Sequence, residues 1–363
     1  MSLYACVAAF LDNALTIIDV TNPALPTFVG SIQGAGAPPW LGGAWRIRVV
    51  DRLAYITAQG DNALTIIDVT NPLAPLFVGS IQGAGGIPWL GTADGLFIVG
   101  NLAYITADDG LTIIDVTNPA APVYVGSIQF PIFPRGASDV QVVGHLAYVT
   151  AQADNALMVI NVANPAAPFL VGIFWDGPDP PIPPYFLHLA SSLQVVGNLA
   201  YVVASGDSAS DSDNALTILN VSNPATPSWL GSIHGSGAPN FLHSAVRLQV
   251  VGNLAYVVAL ADNALTIIDV TNPLAPLFVG SIQGAGPPNF LDDAQGVQVL
   301  GNLAYIAAFL DNALTIIDVT NPALPTFVGS IQGAGAPPWL GGAAGVALVG
   351  VPTVQTLPAT GVT

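Results

Sequence analysis

One short segment recurs seven times along the 363-residue chain and constrains the fold more than any other feature. Its first copy reads Asn13-Ala-Leu-Thr-Ile-Ile-Asp-Val-Thr-Asn-Pro23, and later copies follow at intervals of 46 to 59 residues. Each unit holds four apolar runs that are rich in Val, Ile, Tyr and Thr and are bounded by Gly, Asn, Asp or Pro. Such runs are typical of four strands joined by hairpins.

The strands are apolar on both faces, which predicts that both faces are buried. A transmembrane barrel needs strands of about 9–11 residues with a polar lumen face, and these runs are too short and too apolar for that. Radially stacked sheets, each covered by its neighbours, satisfy the pattern, and the period lies in the range of propeller blades. The sequence therefore predicts an all-β fold: a single seven-bladed β-propeller with four-stranded antiparallel blades.

The two ends of the chain predict how the ring closes. The chain begins at the second strand of a unit, residues 4–9, and ends with an orphan first strand, residues 345–350. Docking this C-terminal first strand beside the N-terminal run completes the N-terminal blade. We therefore expect one propeller domain over residues 1–350 and a C-terminal extension over residues 351–363, although length alone favours two or three domains.

The unit resembles the LVIVD repeat family of β-propellers in its core L-T-I-I-D-V-T-N-P and in the preceding G-N-L-A-Y-V. The resemblance covers nearly the whole chain, residues 3–350. It implies a propeller, and such repeats are mostly found in secreted or surface proteins. The lack of Lys and Glu and the surface-like C-terminal tail lead us to expect an extracellular or cell-surface location. No catalytic residues come with the motif, so the resemblance assigns none.

Composition argues against several classes of function. The formal net charge is −17, with five Arg, no Lys and no Glu, so the basic clusters that neutralise nucleic-acid phosphates are missing. The same balance disfavours an anionic membrane surface, and no apolar stretch is long enough for a membrane-spanning helix. The N-terminus lacks the pattern of a signal peptide. A single cysteine, Cys6, excludes a disulfide framework and a multi-thiolate zinc site.

Most distinctive residues occupy fixed positions in the unit, and we predict structural roles for them. One set of Asp residues lies in the turn between second and third strands, and another opens the T-N-P turn, where a carboxylate accepts backbone N–H bonds. The recurring Tyr of the second strand, replaced by Cys6 in the first unit, is expected to pack between blades with a hydrogen-bonded hydroxyl. Cys6 is then a buried, inert thiol. The Asp sets are Asp12, Asp61, Asp109, Asp154, Asp213, Asp262 and Asp311, and Asp19, Asp68, Asp115, Asp269 and Asp318.

Equivalent positions of the first strands predict a ring around the central channel, because the first strand of each propeller blade lines that channel. We expect the polar side chains of the ring to satisfy one another or bound water. A ligand in the channel is the functional alternative. The ring consists of Arg48, Phe97, Gln141, Gln194, Gln249, Gln298 and Ala347.

The connections between fourth and first strands are long and apolar, and they should gather on one face of the disc. An exposed aromatic surface there would mark a contact site, whereas aromatic side chains packed onto their own blades would be structural. Both interpretations stay open. Together with the C-terminal extension, the predicted interaction surface comprises Trp40, Trp89, Phe130, Phe133, Trp175, Phe241, Phe290, Trp339, Val354 and Leu357.

Two polar features carry further predictions. An insertion in the fifth unit places Asp207, Asp211 and Asp213 close in sequence. They would supply part of the roughly six to eight oxygen ligands that calcium takes, and a solvated hairpin is the alternative. We expect no other cofactor. Residues 357–361, Leu-Pro-Ala-Thr-Gly, resemble the sortase L-P-x-T-G anchoring motif, but only Val362 and Thr363 follow.

These features lead to one function hypothesis and two alternatives. Units one and seven are identical over 37 residues, 8–44 and 307–343, which fits selection for shape rather than for one unique site. We expect a non-enzymatic extracellular or cell-surface structural protein that associates with itself, as a homo-oligomer or filament. The alternatives are a recognition or adhesion propeller that binds glycan or a surface protein on its loops, and a hydrolase or lactonase-like enzyme. His188, His234 and His243 would supply acid–base groups to that enzyme.

Overall fold

The computed structural model of the protein describes residues 2–107, 110–130, 136–177, 187–206 and 214–351. Within these ranges the chain forms 28 strands in seven four-stranded antiparallel sheets. None of the described segments forms a helix with the length and apolar character needed to cross a membrane. The seven-bladed propeller predicted from the repeat is confirmed.

Strands are numbered along the chain, and each blade is described outward from the axis. The first strands, which contact one another around the ring, are β4 (Ala44–Val50), β8 (Leu96–Val99), β12 (Ala137–Val143), β16 (Ala190–Val196), β20 (Ala245–Val251), β24 (Ala294–Leu300) and β28 (Ala343–Val351). The second strands are β1 (Ser2–Ala9), β5 (Leu53–Ala58), β9 (Leu102–Ala107), β13 (Leu146–Ala151), β17 (Leu199–Ser205), β21 (Leu254–Ala259) and β25 (Leu303–Ala308).

The third and fourth strands complete the seven blades. The third strands are β2 (Ala14–Asp19), β6 (Ala63–Asp68), β10 (Gly110–Asp115), β14 (Ala156–Asn161), β18 (Asn214–Asn220), β22 (Ala264–Asp269) and β26 (Ala313–Asp318). The fourth strands are β3 (Thr27–Gln33), β7 (Leu76–Gln82), β11 (Val123–Gln129), β15 (Phe169–Trp175), β19 (Ser228–His234), β23 (Leu277–Gln283) and β27 (Thr326–Gln332). Blade 1 contains β28, β1, β2 and β3, and blades 2 to 7 follow in chain order.

The ring closes through the C-terminal strand, as predicted. β28 pairs antiparallel with β1 and places Ala347 opposite Cys6 and Val349 opposite Tyr4. The N-terminal and C-terminal ends of the propeller thus share one blade, so no blade is left with an open inner edge.

The core lies between blades, in seven apolar clusters that each join two neighbours. In one of them Cys6 and Leu15 of blade 1 pack against Ile47 and Ile56 of blade 2. Cys6 is fully buried, and burial raises the pKa of its thiol to about 12, which leaves it protonated and unreactive at neutral pH. The recurring second-strand Tyr residues occupy the equivalent inter-blade position, as predicted: Tyr55, Tyr104, Tyr148, Tyr201, Tyr256 and Tyr305.

The turn between second and third strands joins the loops of neighbouring blades. The Asp12 carboxylate accepts N–H bonds from Gly335 at 2.9 Å and Gly341 at 2.7 Å, so it holds the loop that precedes its own first strand. Asn13 follows with φ 52°, and its Oδ1 accepts the Gly43 N–H of the next blade at 2.9 Å. The Asp turn role is therefore confirmed where this geometry recurs, while the positive φ falls on the Asn.

The T-N-P turn also has the predicted local bond. Asp19 Oδ1 accepts the Thr21 N–H at 2.8 Å. At Asp115, Asp269 and Asp318, hydrogen bonds from the side chain and the backbone N–H of the Thr two positions on lower the pKa of the carboxyl group. Each such turn lies against the fourth strand of the preceding blade. A Cβ on Gly30 would lie 2.5 Å from the Pro72 carbonyl oxygen, so only glycine permits this approach.

Two faces of the disc follow from these connections. We call the loop face the one that carries the second-to-third-strand turns, such as residues 10–13, and the loops before the first strands, such as residues 34–43. The turn face is the opposite one, which carries the hairpins between first and second strands, such as residues 50–53, and the T-N-P turns, such as residues 19–27.

Candidate functional site

A cavity of about 350 Å³ lies on the propeller axis and is lined by all seven first strands. The predicted ring of equivalent positions is present there. Arg48 pairs with Tyr55, Gln194 with Tyr201 and Ala347 with Cys6, so the ring members occupy the same register position in their blades. The channel therefore brings together side chains that are far apart in sequence.

The glutamines of this ring join neighbouring blades. Gln194 Nε2 donates to the Val250 carbonyl at 3.1 Å, and its Oε1 accepts the Val250 N–H at 2.7 Å. The equivalent contacts are Gln141 with Val195, Gln249 with Val299, and Gln298 with the Leu348 N–H. This corrects the expectation that ring side chains satisfy one another: the backbone of the next blade satisfies them, because it lies within reach of each amide.

Three adjacent blades lack this glutamine. Blades 1, 2 and 3 carry Ala347, Arg48 and Phe97 at the ring position. The hydrogen bond of the Arg48 guanidinium within the described structure runs from Nη1 to the Ile47 carbonyl, at a long 3.4 Å. The arc of blades 1 to 3 is thus the part of the channel wall where the repeated contact is replaced.

Charged side chains meet beside this arc. Arg247 Nη1 donates to Asp139 Oδ2 at 2.7 Å, and its Nη2 lies 3.5 Å from Asp94 Oδ1. Arg46 Nε lies 3.4 Å from the same Asp94 oxygen. Together with Arg48, these four residues form what we call the channel cluster. The Arg247 and Asp139 side chains are only 10% and 8% exposed, so this pair is shielded from solvent.

Asp139 is held firmly as a carboxylate. Its Oδ2 accepts bonds from the Ser192 hydroxyl at 2.7 Å and the Leu193 N–H at 3.2 Å, and its Oδ1 accepts the Val140 N–H at 3.0 Å. Burial alone would raise the pKa of Asp139, but Arg247 and the Ser192 hydroxyl outweigh it and the pKa is lowered. A carboxylate with a lowered pKa is a poor general base.

An aromatic cluster fixes the loop-face end of the site. Trp45 Nε1 donates to Asp94 Oδ1 at 2.7 Å, and the Arg46 guanidinium lies 4.7 Å from the centre of the Trp45 ring. Trp45 packs edge-on against Phe10 at 5.6 Å and Phe309 at 6.3 Å between ring centres. These contacts set the position of Asp94, to which both Arg46 and Arg247 are drawn.

The cluster carries an excess of positive charge. Three guanidinium groups face two carboxylates, in a chain whose formal net charge is −17. Burial, followed by Arg247, lowers the pKa of Arg46 to about 9, and burial also lowers the pKa of Arg48. The Nε atoms of Arg46 and Arg247 are buried without a hydrogen-bond partner. Buried polar groups normally have partners, so this site offers unused cationic donors.

The described residues place the other predicted groups elsewhere. His188 is buried, His243 half-buried and His234 exposed, all on the loop face as expected. No group of three or more His, Cys or Asp side chains suited to a metal ion occurs among the described residues. The calcium candidates Asp207, Asp211 and Asp213 lie outside them.

Most described residues of the predicted aromatic surface are half-buried. The carbonyl of Trp40 accepts the buried Thr65 hydroxyl, so this loop is tied to its own blade. Trp175 is 48% exposed, whereas Phe130 is buried. The half-buried members are Trp40, Trp89, Phe241, Phe290 and Trp339. Phe133, Val354 and Leu357 lie outside the described residues.

Exposed large apolar side chains gather on the opposite, turn face. Of those among the described residues, all but Leu11, Ile87, Trp175 and Leu310 belong to first hairpins, T-N-P turns or the adjoining starts of fourth strands. In the T-N-P turns, Leu25, Leu73, Leu274 and Leu324 are 64% to 73% exposed. This surface was not predicted from the sequence, because each unit contributes only one to four such residues and they lie apart along the chain.

Comparison with known families agrees with the geometry. The profile of the LVIVD repeat matches residues 3–33, 41–82, 90–129, 134–176, 189–234, 244–283 and 292–332. The chain belongs to the LVIVD repeat family. Its seven matches coincide with the seven blades of this LVIVD propeller. Among curated proteins, no sequence matches the chain.

Solved structures with the same architecture are distant in sequence. The periplasmic gluconolactonase of Pseudomonas aeruginosa has a TM-score of 0.70 at 12% identity, covering 96% of this chain and 100% of the other. A functionally unknown protein from Desulfotomaculum acetoxidans has a TM-score of 0.70 at 14% identity, with coverage of 96% and 99%. A protein from Lactobacillus plantarum has a TM-score of 0.75 at 10% identity, with coverage of 96% and 100%. These likenesses concern the fold alone.

Proposed function

We propose that this LVIVD propeller is a non-enzymatic structural protein, located outside the cell or on its surface, that associates with copies of itself through its turn face. The observation that carries the proposal is the concentration of exposed apolar side chains on that face. Single exposed apolar residues are ordinary. Here an exposed Val or Leu ends the first strand of blades 2 to 7, and the T-N-P turns of blades 6, 7, 1 and 2 each expose one Leu. A concentration of exposed apolar side chains is typical of an interaction site.

Charge does not select between a face-to-face and a head-to-tail arrangement, because both faces carry carboxylates. Those that open the T-N-P turns accept backbone N–H bonds, which offset part of their charge. On the loop face, the same is true of Asp12, Asp61, Asp262 and Asp311. A turn face on a loop face is a heterologous contact, and repeated contacts of this type make a filament.

The test uses two surface variants with matched substitutions. The turn-face variant changes Leu25, Leu73, Leu274 and Leu324 to Ser, and the loop-face variant changes Leu11, Ile87 and Leu310, which are 59% to 69% exposed, to Ser. The unchanged chain is expected to associate in light scattering, more strongly as salt screens its net charge. The turn-face variant should stay monomeric with an unchanged melting temperature.

The loop-face variant decides the arrangement. In a head-to-tail filament it also fails to assemble, yet an equal mixture of the two variants forms dimers, because each supplies the surface that the other lacks. In a face-to-face dimer it assembles like the unchanged chain. A turn-face variant that associates as well as the unchanged chain would refute the proposal.

The C-terminal extension is part of the same proposal. Its apolar residues, Val354 and Leu357 among them, would pack on a neighbouring subunit, since extended segments readily add to exposed sheet edges. The outer fourth strands offer such edges and carry no Lys to deter pairing. A chain ending at Gly350 should therefore associate more weakly than the full chain. Equal association of both chains would remove the extension from the interface.

A hydrolase or lactonase-like enzyme is the second candidate, and one observation favours it. The periplasmic gluconolactonase of Pseudomonas aeruginosa shares the fold, and Ser192 here is hydrogen-bonded to a carboxylate in the channel. Hydrolysis of gluconolactone by the purified chain, abolished in Ser192→Ala or in the triple variant His188→Ala, His234→Ala and His243→Ala, would establish the enzyme. Absence of hydrolysis supports a structural or adhesive role, and capture of a glycan by the loop face would identify the latter.

A further inference from the structure

We infer that the central channel is a binding site for a small oxyanion, of the carboxylate or phosphate type, held by Arg46, Arg48 and Arg247. This site is separate from the turn face and goes beyond the structural role proposed above. Its argument starts from the placement of charge. The chain has only five Arg and no Lys, and Arg46, Arg48 and Arg247 line one cavity together with Asp139. Asp94 lies beside the cavity, within 3.5 Å of Arg46 and Arg247.

The protein itself uses few of the guanidinium donors. A guanidinium group has five N–H donors. Arg46 and Arg48 each make one bond, at 3.4 Å, to a backbone carbonyl. Arg247 makes its bonds to Asp139 and Asp94. Arg46 Nε lies 3.4 Å from Asp94 Oδ1 without forming a hydrogen bond, and Arg247 Nε has no hydrogen-bond partner. Carboxylates and phosphates accept two N–H bonds from one guanidinium group, so either would supply the acceptors that the channel wall lacks.

The charge balance also favours an anion. Asp94 and Asp139 offset two of the three guanidinium charges, and both are already engaged by Trp45, Ser192 and Arg247. One positive charge remains in a place where burial disfavours it, so a ligand with one negative charge would neutralise the cluster. A cavity of about 350 Å³ falls within the size range of small-molecule sites.

Two units that share an identical stretch differ in sequence at the channel. Residues 8–44 and 307–343 are identical, and the strands that follow them line the channel. Beyond the shared Ala, β4 continues Trp-Arg-Ile-Arg-Val, whereas β28 continues Ala-Gly-Val-Ala-Leu. The duplicated sequence therefore diverges at the residues that bring Arg46 and Arg48 to the cavity. A purely architectural channel would not require this difference.

The experiment measures binding of sodium acetate and of inorganic phosphate to the purified full chain by isothermal titration calorimetry, at constant ionic strength. Three variants each remove one positive charge and introduce a residue that the repeat already uses at that position. Arg48→Gln introduces the residue found at the equivalent position 194 of another unit. In the same way, Arg46→Ser matches Ser192 and Arg52→Asn matches Asn101. Arg52 lies in a turn-face hairpin outside the cavity lining, so Arg52→Asn is the matched control.

The expected result is millimolar or tighter binding that persists in Arg52→Asn. It should weaken about 10-fold to 100-fold in Arg46→Ser and in Arg48→Gln, the range for one lost charge-assisted hydrogen bond. Binding of acetate alone assigns a carboxylate ligand, and binding of phosphate alone assigns a phosphorylated one. The inference is overturned if the unchanged chain binds neither probe, or if Arg52→Asn weakens binding as much as the channel variants.

Discussion

Units one and seven are identical in one region, whereas the channel strands that follow this region differ in sequence. Residues 8–44 and 307–343 make equivalent hydrogen bonds at their two positions in the ring. Asn13 Oδ1 accepts the Gly43 N–H at 2.9 Å, and Asn312 Oδ1 accepts the Gly342 N–H at 2.9 Å. By contrast, β4 brings Arg46 and Arg48 to the axis, whereas β28 brings small and aliphatic side chains.

The difference follows from where each region lies. A contact between neighbouring blades is made in the same way around the ring, so one sequence serves every blade. On the axis all seven first strands share a single space, where the same charged residue in each blade would create strong repulsion. Channel positions are therefore free to differ, and the channel is where a propeller made of near-identical units can hold a unique site.

The largest expected effect follows from the closure of the ring by β28. A chain ending at Ala343 loses nearly all of β28 and exposes the inner edge of β1. We expect the free energy of unfolding to fall by several kcal/mol, about the loss of a core strand, with a matching drop in melting temperature. A chain ending at Val351 keeps the strand and serves as the control. If both chains melt together, closure through β28 does not stabilise the ring.

The second prediction compares Asp139 of the channel cluster with Asp115 of a T-N-P turn on the turn face. Asp139→Asn leaves Arg247 without its closest counter-charge, and loss of one partner of a buried pair costs about 3–5 kcal/mol. Asp115→Asn should cost almost nothing. Asn161 occupies the equivalent turn position and accepts the same N–H bond at 2.9 Å. Urea unfolding at neutral pH measures both changes, and equal effects would contradict the distinction between the two regions.

The contribution of Asp139 to the free energy of unfolding should also depend on pH in the acid range. The pKa of Asp139 is lowered in the folded state, so its contribution to stability is fully present above the unfolded value of about 3.9. The contribution is lost as pH falls through the lower folded value, because the proton then binds the unfolded chain preferentially. The gap in unfolding free energy between the unchanged chain and Asp139→Asn should therefore narrow below about pH 4. A gap that is constant down to strong acid would contradict this.

Much of the architecture of the ring could be predicted from the sequence, since the contacts that build it repeat with the unit. The closing strand, the Asx bond at Asp19 and the buried position of Cys6 are confirmed. The partners of the ring glutamines were predicted wrongly because the unit period fixes the height of Gln194 on its strand and not the reach of its side chain. That reach ends at the backbone of Val250.

The channel cluster was not predicted, because its members come from four different units. Arg46, Asp139 and Arg247 share one position, two residues before the ring position of their units, which holds Arg48, Gln141 and Gln249. Alignment of the units at that position would have placed them in one ring. It would not have shown that Asp94, one residue earlier in its unit, lies between two of the arginines. That depends on Trp45, whose indole N–H holds the Asp94 carboxylate.

The smallest expected effect is that of Arg48→Gln, which gives the ring position of blade 2 the glutamine that blades 4 to 7 carry. In Arg48→Gln, the new amide should reach the Ile98 backbone of blade 3, because each ring glutamine contacts the residue after the ring position of the next blade. The Arg48 side chain is exposed in the channel, so solvent screens its charge and loss of that charge should change stability little. The new amide bonds should raise the free energy of unfolding by about 1 kcal/mol. Urea unfolding measures the change, with Arg52→Asn as a control that should leave stability unaltered.

A variant that is more stable yet binds oxyanions more weakly would show that Arg48 is kept at a cost in stability. A less stable variant would instead assign Arg48 to the architecture of the ring.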